Sequence, residues 1–398
     1  MTLISREDLL NRGVEDIIVR EDFLNKLDSG KSLRLKMGFD PSAPDIHLGH
    51  VVGLRKLRQL QELGHKVILI VGDWTAQIGD PSGRSQTRKM LSSEEVNANA
   101  QTYLDQFFKI VDRDQTEIRL QSEWFGPFNL SNVIELTSKF TVAQILARDD
   151  FAKRFSDNHP IAITELLYPL LQAYDSVAIE SDVEFGGSDQ RFNLLVGREL
   201  QQNQGMEPQQ CFIMPLLPGT DGTQKMSKSL NNYIGINETG REIYGKIMSI
   251  PDTLISRYFE WLTDKPTDQV LEIQNTLSNG SANPMELKKE VAHTIVREFY
   301  SLDMAKEAES FFTKTVQNRE TPDDIDHFIL PDDAESETLR LSNILVESGL
   351  TSSAGEARRL IDQNAIKLDG TTITKNLSIK ELGRGVLKVG RRRYLRLM

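Results

Sequence analysis

Residues 36–50 read KMGFDPSAPDIHLGH, and the chain continues through VVGLRKLRQLQELG (51–64) to HKVILIVG (65–72). Val51, Leu54, Leu57 and Leu60 recur at helical spacing, and the pattern stops at Gly64. Val67–Val71 is a continuous apolar run, as in a strand covered on both faces. The order is therefore strand, loop, helix, strand. It predicts an α/β fold, a doubly wound parallel sheet with its ligand crevice at the carboxyl ends of the strands. His47-Leu48-Gly49-His50 falls where the loop enters the helix. A helix N-terminus offers N–H groups and positive potential to phosphate, and a glycine there lets a flat base approach the backbone. His47 and His50, three apart, share one face and can donate hydrogen bonds to phosphate or ribose oxygens. Taken alone, such a pair is more often structural or metal-binding than nucleotide-handling.

Composition narrows the choice. The chain has 398 residues, enough for two or three domains, with 39% hydrophobic and 26% charged residues. One cysteine, Cys211, and six histidines argue against a disulfide framework or a structural zinc cluster, and point to a reducing compartment. The run around Val67–Val71 is far too short to span a membrane, and residues 1–20 mix charges with leucines unlike a signal peptide. A cytoplasmic protein without membrane attachment is expected.

The net charge is −11, but it is unevenly placed. Residues 338–398 carry 12 Lys and Arg against 5 Asp and Glu, a net of +7, which leaves −18 on the rest. Between them, residues 319–337 hold Pro322, Pro331 and a dense set of acidic residues, and read as a linker. The tail has its own folding pattern. Leu341, Ile344 and Leu345 make a short helix face ending at Gly349, and Ser353 with Glu356 predicts a capping box for a second helix. Asp369-Gly370 between Ala365–Leu368 and Thr371–Thr374 signals a hairpin, and Val386–Val389 with Arg393–Leu397 a last strand pair. This small α+β unit, with Arg358 and Arg359 on the outer face of the second helix, resembles an S4 RNA-binding domain.

A second motif decides between the readings of the histidine pair. Lys225-Met226-Ser227-Lys228-Ser229 follows the glycine-rich Pro218-Gly219-Thr220-Asp221-Gly222, so two lysines three apart can grip a polyphosphate. HLGH and KMSKS together resemble the two signatures of class I aminoacyl-tRNA synthetases. The residues between them resemble the tyrosyl-tRNA synthetase family, bacterial type with a C-terminal S4 domain. Tyr168, Gln172 and Asp175 are similar to that family's amino-acid-binding helix, and Gly186-Gly187-Ser188-Asp189-Gln190 to its ribose and substrate loop. Thr75 and Asp80, in WTAQIGDPSG, match the segment that holds the substrate ammonium. At i, i+4 and i+7, Tyr168, Gln172 and Asp175 share one helix face and can line one pocket, where a buried carboxylate needs a donor such as a phenol. Residues 79–85 are spaced too tightly for a P-loop, and Arg84 replaces its lysine.

The resemblance implies tyrosine activation by ATP, then transfer to the terminal adenosine of tRNA(Tyr). It implies His47, Lys225, Lys228 and Ser42 at the phosphates, with His50 in the catalytic set. Gly38, Asp40, Gly49, His50, Gly187 and Asp189 would hold adenosine or the adenylate. Tyrosine would meet Thr75, Asp80, Tyr168, Gln172, Asp175, Gln190 and Lys36. Lys36 stands where many members carry a tyrosine, and Arg191 where a tryptophan is common; both substitutions resemble a second bacterial branch. Mg²⁺ is expected only with ATP, with no protein metal site. The resemblance further implies a homodimer formed through an insertion near residues 125–160, a catalytic domain over 1–230, a helical anticodon-side domain over 231–318, and the S4-like domain over 338–398. A tryptophanyl enzyme, a small-molecule adenylyltransferase and a non-catalytic RNA-binding protein are the alternatives. The first would not need the Tyr168–Gln172–Asp175 set, the second leaves KMSKS and the tail unexplained, and the third leaves the catalytic constellation unexplained.

Overall fold

The computed structural model describes residues 5–41, 45–82, 92–318, 320, 325–330, 339–390 and 393–398. The chain divides into two compact units, Met1–Glu238 with Ser249–Val291, and Thr239–Met248 with Ala292–Met398. The helices of 231–318, expected to form a domain of their own, are shared between these units.

The first unit is built on six strands, β1 (Asp16–Ile18), β2 (Arg34–Phe39), β3 (Lys66–Val71), β4 (Thr116–Leu120), β5 (Val183–Gly187) and β6 (Gln210–Met214), in the order β1-β6-β5-β2-β3-β4. Every neighbouring pair is parallel except β1 on β6. The apolar run of β3 is buried from Val67 through Val71, as a strand covered on both faces must be. The helix Leu48–Glu62 buries Val51, Leu54, Leu57 and Leu60, and the chain turns out of it at Gly64 with φ +93°. From β2 the chain winds outward through β3 and β4, whereas β5 and β6 lie on the other side of β2. The order therefore reverses between β2 and β5, the position where an open α/β sheet offers a crevice.

That seam carries a charged pair inside the protein. Lys36 and Glu184 are register partners on β2 and β5, almost fully buried, with Lys36 Nζ 2.9 Å from Glu184 Oε1. The expected insertion near residues 125–160 contains three short helices, Leu130–Thr137, Val142–Leu146 and Asp149–Ser156. Asn129 and Thr141 cap the first two, so each begins as a separate helix. Leu130, Ile134, Val142, Phe155 and Ile163 are 59–79% exposed there, a concentration of apolar side chains facing water.

In the second unit a five-stranded sheet runs in the order β7 (His327–Phe328), β11 (Arg393–Leu397), β10 (Gly385–Val389), β8 (Ile366–Leu368), β9 (Thr371–Thr372). Leu341, Ile344, Leu345, Ala357, Ile361, Ile366, Leu387 and Leu395 form one core with it. Asp369 and Gly370 take φ 45° and 85°, the two positive values of a type I′ hairpin turn. Two details differ from expectation. The Glu356 carboxylate accepts from Ser352 rather than reaching back to the cap residue Ser353. And the stretch read as a linker is not all connection: β7 pairs in parallel with β11, and Leu330 is buried in the tail's core. A two-residue strand among acidic residues is too short to show an alternation. Among the described residues, no helix is long and apolar enough to cross a membrane.

Candidate active site

A cleft of about 420 Å³ opens where β2 and β5 end. Gly38, Asp40, His47, Gly49, His50, Thr75, Asp80, Tyr168, Gln172, Asp175, Gly187, Asp189, Gln190, Lys225 and Lys228 all line it. Ser42 lies outside the described residues. Arg358 and Arg359 belong to the second unit, exposed on the helix Ala354–Asp362 whose Ala357 and Ile361 face the core.

Lys36 requires a correction. It was expected among the residues that meet tyrosine, but it does not line the cleft. Its ammonium donates to Glu184 Oε1 at 2.9 Å, Ser176 Oγ at 2.8 Å and the Gln172 carbonyl at 2.9 Å. Three N–H groups meet three acceptors, so no donor remains for a ligand.

One helix, Ile163–Ala178, supplies Tyr168, Gln172 and Asp175. Asp175 is 2% exposed and accepts from Gln121 Nε2 at 2.9 and 3.1 Å and from Trp124 Nε1 at 3.1 Å. Burial pushes its carboxyl up to about 7, against the pull of Lys36 and of these two donors. The Tyr168 hydroxyl donates to Asp40 Oδ2 at 2.9 Å, and burial beside Asp40 holds its proton on well above the ordinary phenol range. Thr75 Oγ1 donates to the other Asp40 oxygen at 2.7 Å. This contact requires Gly72, where a Cβ would overlap both Asp40 and Thr75. Asp80 accepts from the Ser82 amide at 2.8 Å and from Gln190 Nε2 at 2.6 Å. Gln121 and Trp124 were not singled out in the sequence. They follow β4 directly, and position beyond a strand's carboxyl end was the available signal.

At the helix N-terminus, the His47 and His50 rings lie 4.0 Å apart. The His47 amide donates to His50 Nδ1 at 3.2 Å, so Nδ1 of His50 is an acceptor and its proton sits on Nε2. Burial, with Lys228 nearby, holds His50 down to about 4; burial and the neighbouring cations hold His47 well below its usual value. Both rings are therefore neutral at pH 7, with an N–H rather than a positive charge to offer a ligand. Gly49 sits against the His47 ring, since a Cβ there would fall 3.0 Å from it. In the KMSKS loop, Lys225 Nζ pairs with Asp189 at 2.7 Å. Lys228 Nζ lies 5.7 Å from the Tyr103 ring centroid with no hydrogen-bond partner among the described residues, and burial lowers its pKa. Asn232, also missed in the sequence, fixes the loop by accepting from the Ser227 amide at 2.8 Å and donating to the Lys225 carbonyl at 3.1 Å. The cleft thus joins a carboxylate-floored pocket for a small polar molecule to a cationic, N–H-rich rim suited to phosphates.

The family model for class I tRNA synthetases (W and Y) matches residues 28–317, and the S4 domain model matches residues 339–381. The fold and the cleft are those of a class I aminoacyl-tRNA ligase. A tyrosine–tRNA ligase of Dehalococcoides mccartyi (strain ATCC BAA-2266 / KCTC 15142 / 195) is 56% identical over 388 residues, 98% of this chain and 97% of that one. Another from Thermotoga maritima is 48% identical over 398 residues, covering 100% and 98%. The crystal structure of an Archaeoglobus fulgidus tyrosyl-tRNA synthetase complexed with L-tyrosine aligns with TM-score 0.61 at 24% identity, over 76% of this chain and 99% of that chain. The chain belongs to the tyrosine–tRNA ligase family.

Proposed function

We propose that this cleft activates tyrosine with ATP and passes the tyrosyl group to tRNA, with the residues in the following roles. The tyrosine side chain enters between Tyr168 and Gln172 with its hydroxyl on Asp175, and its ammonium meets Asp80, Thr75 and Gln190. ATP lies along Gly38, Asp40, Gly49 and His50, with its ribose near Gly187 and Asp189. The tyrosine carboxylate attacks the α-phosphate in line, a P–O bond forms as the bond to pyrophosphate breaks, and tyrosyl-adenylate stays bound. A ribose hydroxyl of the tRNA terminus then attacks the acyl carbon and AMP leaves. No enzyme nucleophile is required, so the side chains act by positioning and by meeting charge as it develops. Neutral His47 donates an N–H, and Lys225 and Lys228 provide cations, where pyrophosphate charge builds up. Mg²⁺ arrives as part of the nucleotide substrate.

The observation that carries this reading is Asp175: a carboxylate 2% exposed, held by Gln121 and Trp124, in the same cleft as the paired histidines and the KMSKS lysines. A buried acceptor of this kind suits a ligand that brings a hydroxyl. The exposed apolar side chains of the insertion support a homodimer formed there, and the exposed Arg358 and Arg359 support a tRNA contact by the tail. A cytoplasmic location fits ATP and tRNA as substrates and the single buried thiol of Cys211. Pyrophosphate exchange into ATP, run with tyrosine, tryptophan and no amino acid, tests the assignment; exchange dependent on tryptophan would overturn it.

A further inference from the structure

From the wall of the cleft inward, five amide and carboxylate side chains form an ordered chain of hydrogen bonds. Asn193 is 1% exposed, on the helix Arg191–Asn203, and does not line the cleft. Its Nδ2 donates to Gln172 Oε1 and to Gln190 Oε1, both at 3.0 Å. Gln172 Nε2 in turn donates to Glu184 Oε1 at 3.1 Å, and Gln190 Nε2 donates to Asp80 Oδ2 at 2.6 Å. Asn193 Oδ1 accepts from Arg148 Nη1 at 3.3 Å. Arg148 is itself fixed, bidentate on Asp150 at 2.6 and 2.7 Å and 4.0 Å over the Phe151 ring.

The ends of this chain determine its direction. Arginine only donates, so it pins the carbonyl of Asn193, and the Asn193 nitrogen must face the two glutamines. Ionised carboxylates only accept, so Glu184 and Asp80 draw the nitrogen of each glutamine toward themselves. Each glutamine amide therefore has one orientation that satisfies both neighbours; in that orientation Gln190 Nε2 also reaches Ser82 Oγ at 3.4 Å, and Gln172 Nε2 has a second N–H beyond its bond to Glu184.

We propose that Asn193, held by Arg148, is a positioning residue for tyrosine binding that sets the amide orientation of Gln172 and Gln190. This rests on the reading above that these glutamines border the tyrosine pocket. The mechanism is polarity rather than volume, which distinguishes it from packing.

Full-chain variants separate the two by pyrophosphate exchange, with tyrosine varied at saturating ATP and ATP varied at saturating tyrosine, alongside thermal melting. N193D keeps the shape but puts a carboxylate oxygen against two glutamine carbonyls. To relieve that contact both amides must turn, which sets their oxygens against Glu184 and Asp80. N193A removes the donor but leaves both glutamines free to keep their carboxylate bonds. The expected result is a tyrosine KM raised about tenfold or more in N193D and less in N193A, with ATP KM unchanged in both. A packing role gives the reverse order, because truncation leaves a cavity and the isostere does not. A tyrosine KM in N193A equal to or above that of N193D, or unmoved in both, overturns the proposal. Should N193D not fold, N193S and R148M carry the test. The first keeps a single donor and the second frees the amide to turn, so tyrosine KM rises in each, and an unchanged KM in both refutes the relay. Q172A and Q190A run in parallel. If these leave tyrosine KM unmoved, the pocket reading fails; if they raise it and N193D does not, the relay alone fails.

Discussion

Replacing Asp175 by alanine removes the one group in the cleft assigned to the tyrosine hydroxyl. A hydrogen bond to a charged group contributes about 1.5–3 kcal/mol. At about 1.4 kcal/mol per factor of ten, the loss in kcat/KM for tyrosine is roughly 10- to 150-fold. Phenylalanine has no hydroxyl to lose, so its activation falls little and the preference for tyrosine over phenylalanine shrinks by about the same factor. ATP KM stays as it was, because the histidine pair and the lysines are untouched. A second cost falls on the fold. Gln121 Nε2 and Trp124 Nε1 both donate to Asp175, so the variant leaves two buried donors without an acceptor. Each such group costs about 1–3 kcal/mol, so the melting temperature drops as well. Pyrophosphate exchange against both amino acids, measured well below the variant's melting temperature, separates the two effects. An unchanged ratio of tyrosine to phenylalanine activation in a folded Asp175→Ala protein would refute the assignment.

Alanine at His47, Lys225 or Lys228 should lower the rate of adenylate formation by roughly 10²-fold while tyrosine affinity barely moves, read by single-turnover kinetics. Because burial raises the Asp175 carboxyl to about 7, it takes up a proton as pH falls through that value and becomes a weaker acceptor for the phenol; tyrosine KM should rise from pH 8 to pH 6. His50, held near 4, stays neutral across that window, and Asp175→Asn should flatten the dependence. Glutamate at both Leu130 and Ile134 should convert a dimer to a monomer by light scattering, since both side chains are more than half exposed in the single chain. Reversing Arg358 and Arg359 to glutamate should leave pyrophosphate exchange intact, while tRNA charging falls and its salt dependence becomes shallower. Point changes are the cleaner test of the tail, because a cut at residue 338 would strip β7 of its partner β11.

The parts of the fold legible in the sequence are those whose physics is contiguous. The run Val67–Val71, the helix face from Val51 to Leu60 and the Asp369-Gly370 turn each carry their own periodicity or φ requirement within a few residues. The same holds for HLGH and KMSKS, short segments that bring their own backbone N–H groups and cations. What stayed hidden depends on distant strands being set side by side. Gln121 and Trp124 matter because β4 ends near the helix that bears Asp175. Asn193 matters because its amide reaches Gln172, Gln190 and Arg148, from three separate stretches of chain. Neither has a local pattern that differs from ordinary helix or loop. β7 escaped for the opposite reason, being only two residues long inside an acidic segment.

Lys36 is the instructive misreading, and its position shows how the pocket manages charge. A lysine in the middle of a strand buried on both faces is costly unless a partner waits in register, and β5 supplies Glu184 there. The pair has a consequence for its neighbour. Burial alone would keep Asp175 protonated, and a protonated carboxyl is a poorer acceptor for a phenol. Gln121 and Trp124 favour the ionised form by donating to it, and Lys36 favours it through its charge, while Glu184 opposes. If Asp175 receives the tyrosine hydroxyl as proposed, Lys36 bears on recognition without lining the cleft. It stabilises the charge on Asp175 from inside the sheet, and by donating to Glu184 it holds the carboxylate that orients Gln172. A residue whose three protons are all bound to protein groups can act on a ligand only through its field and its hydrogen-bond partners.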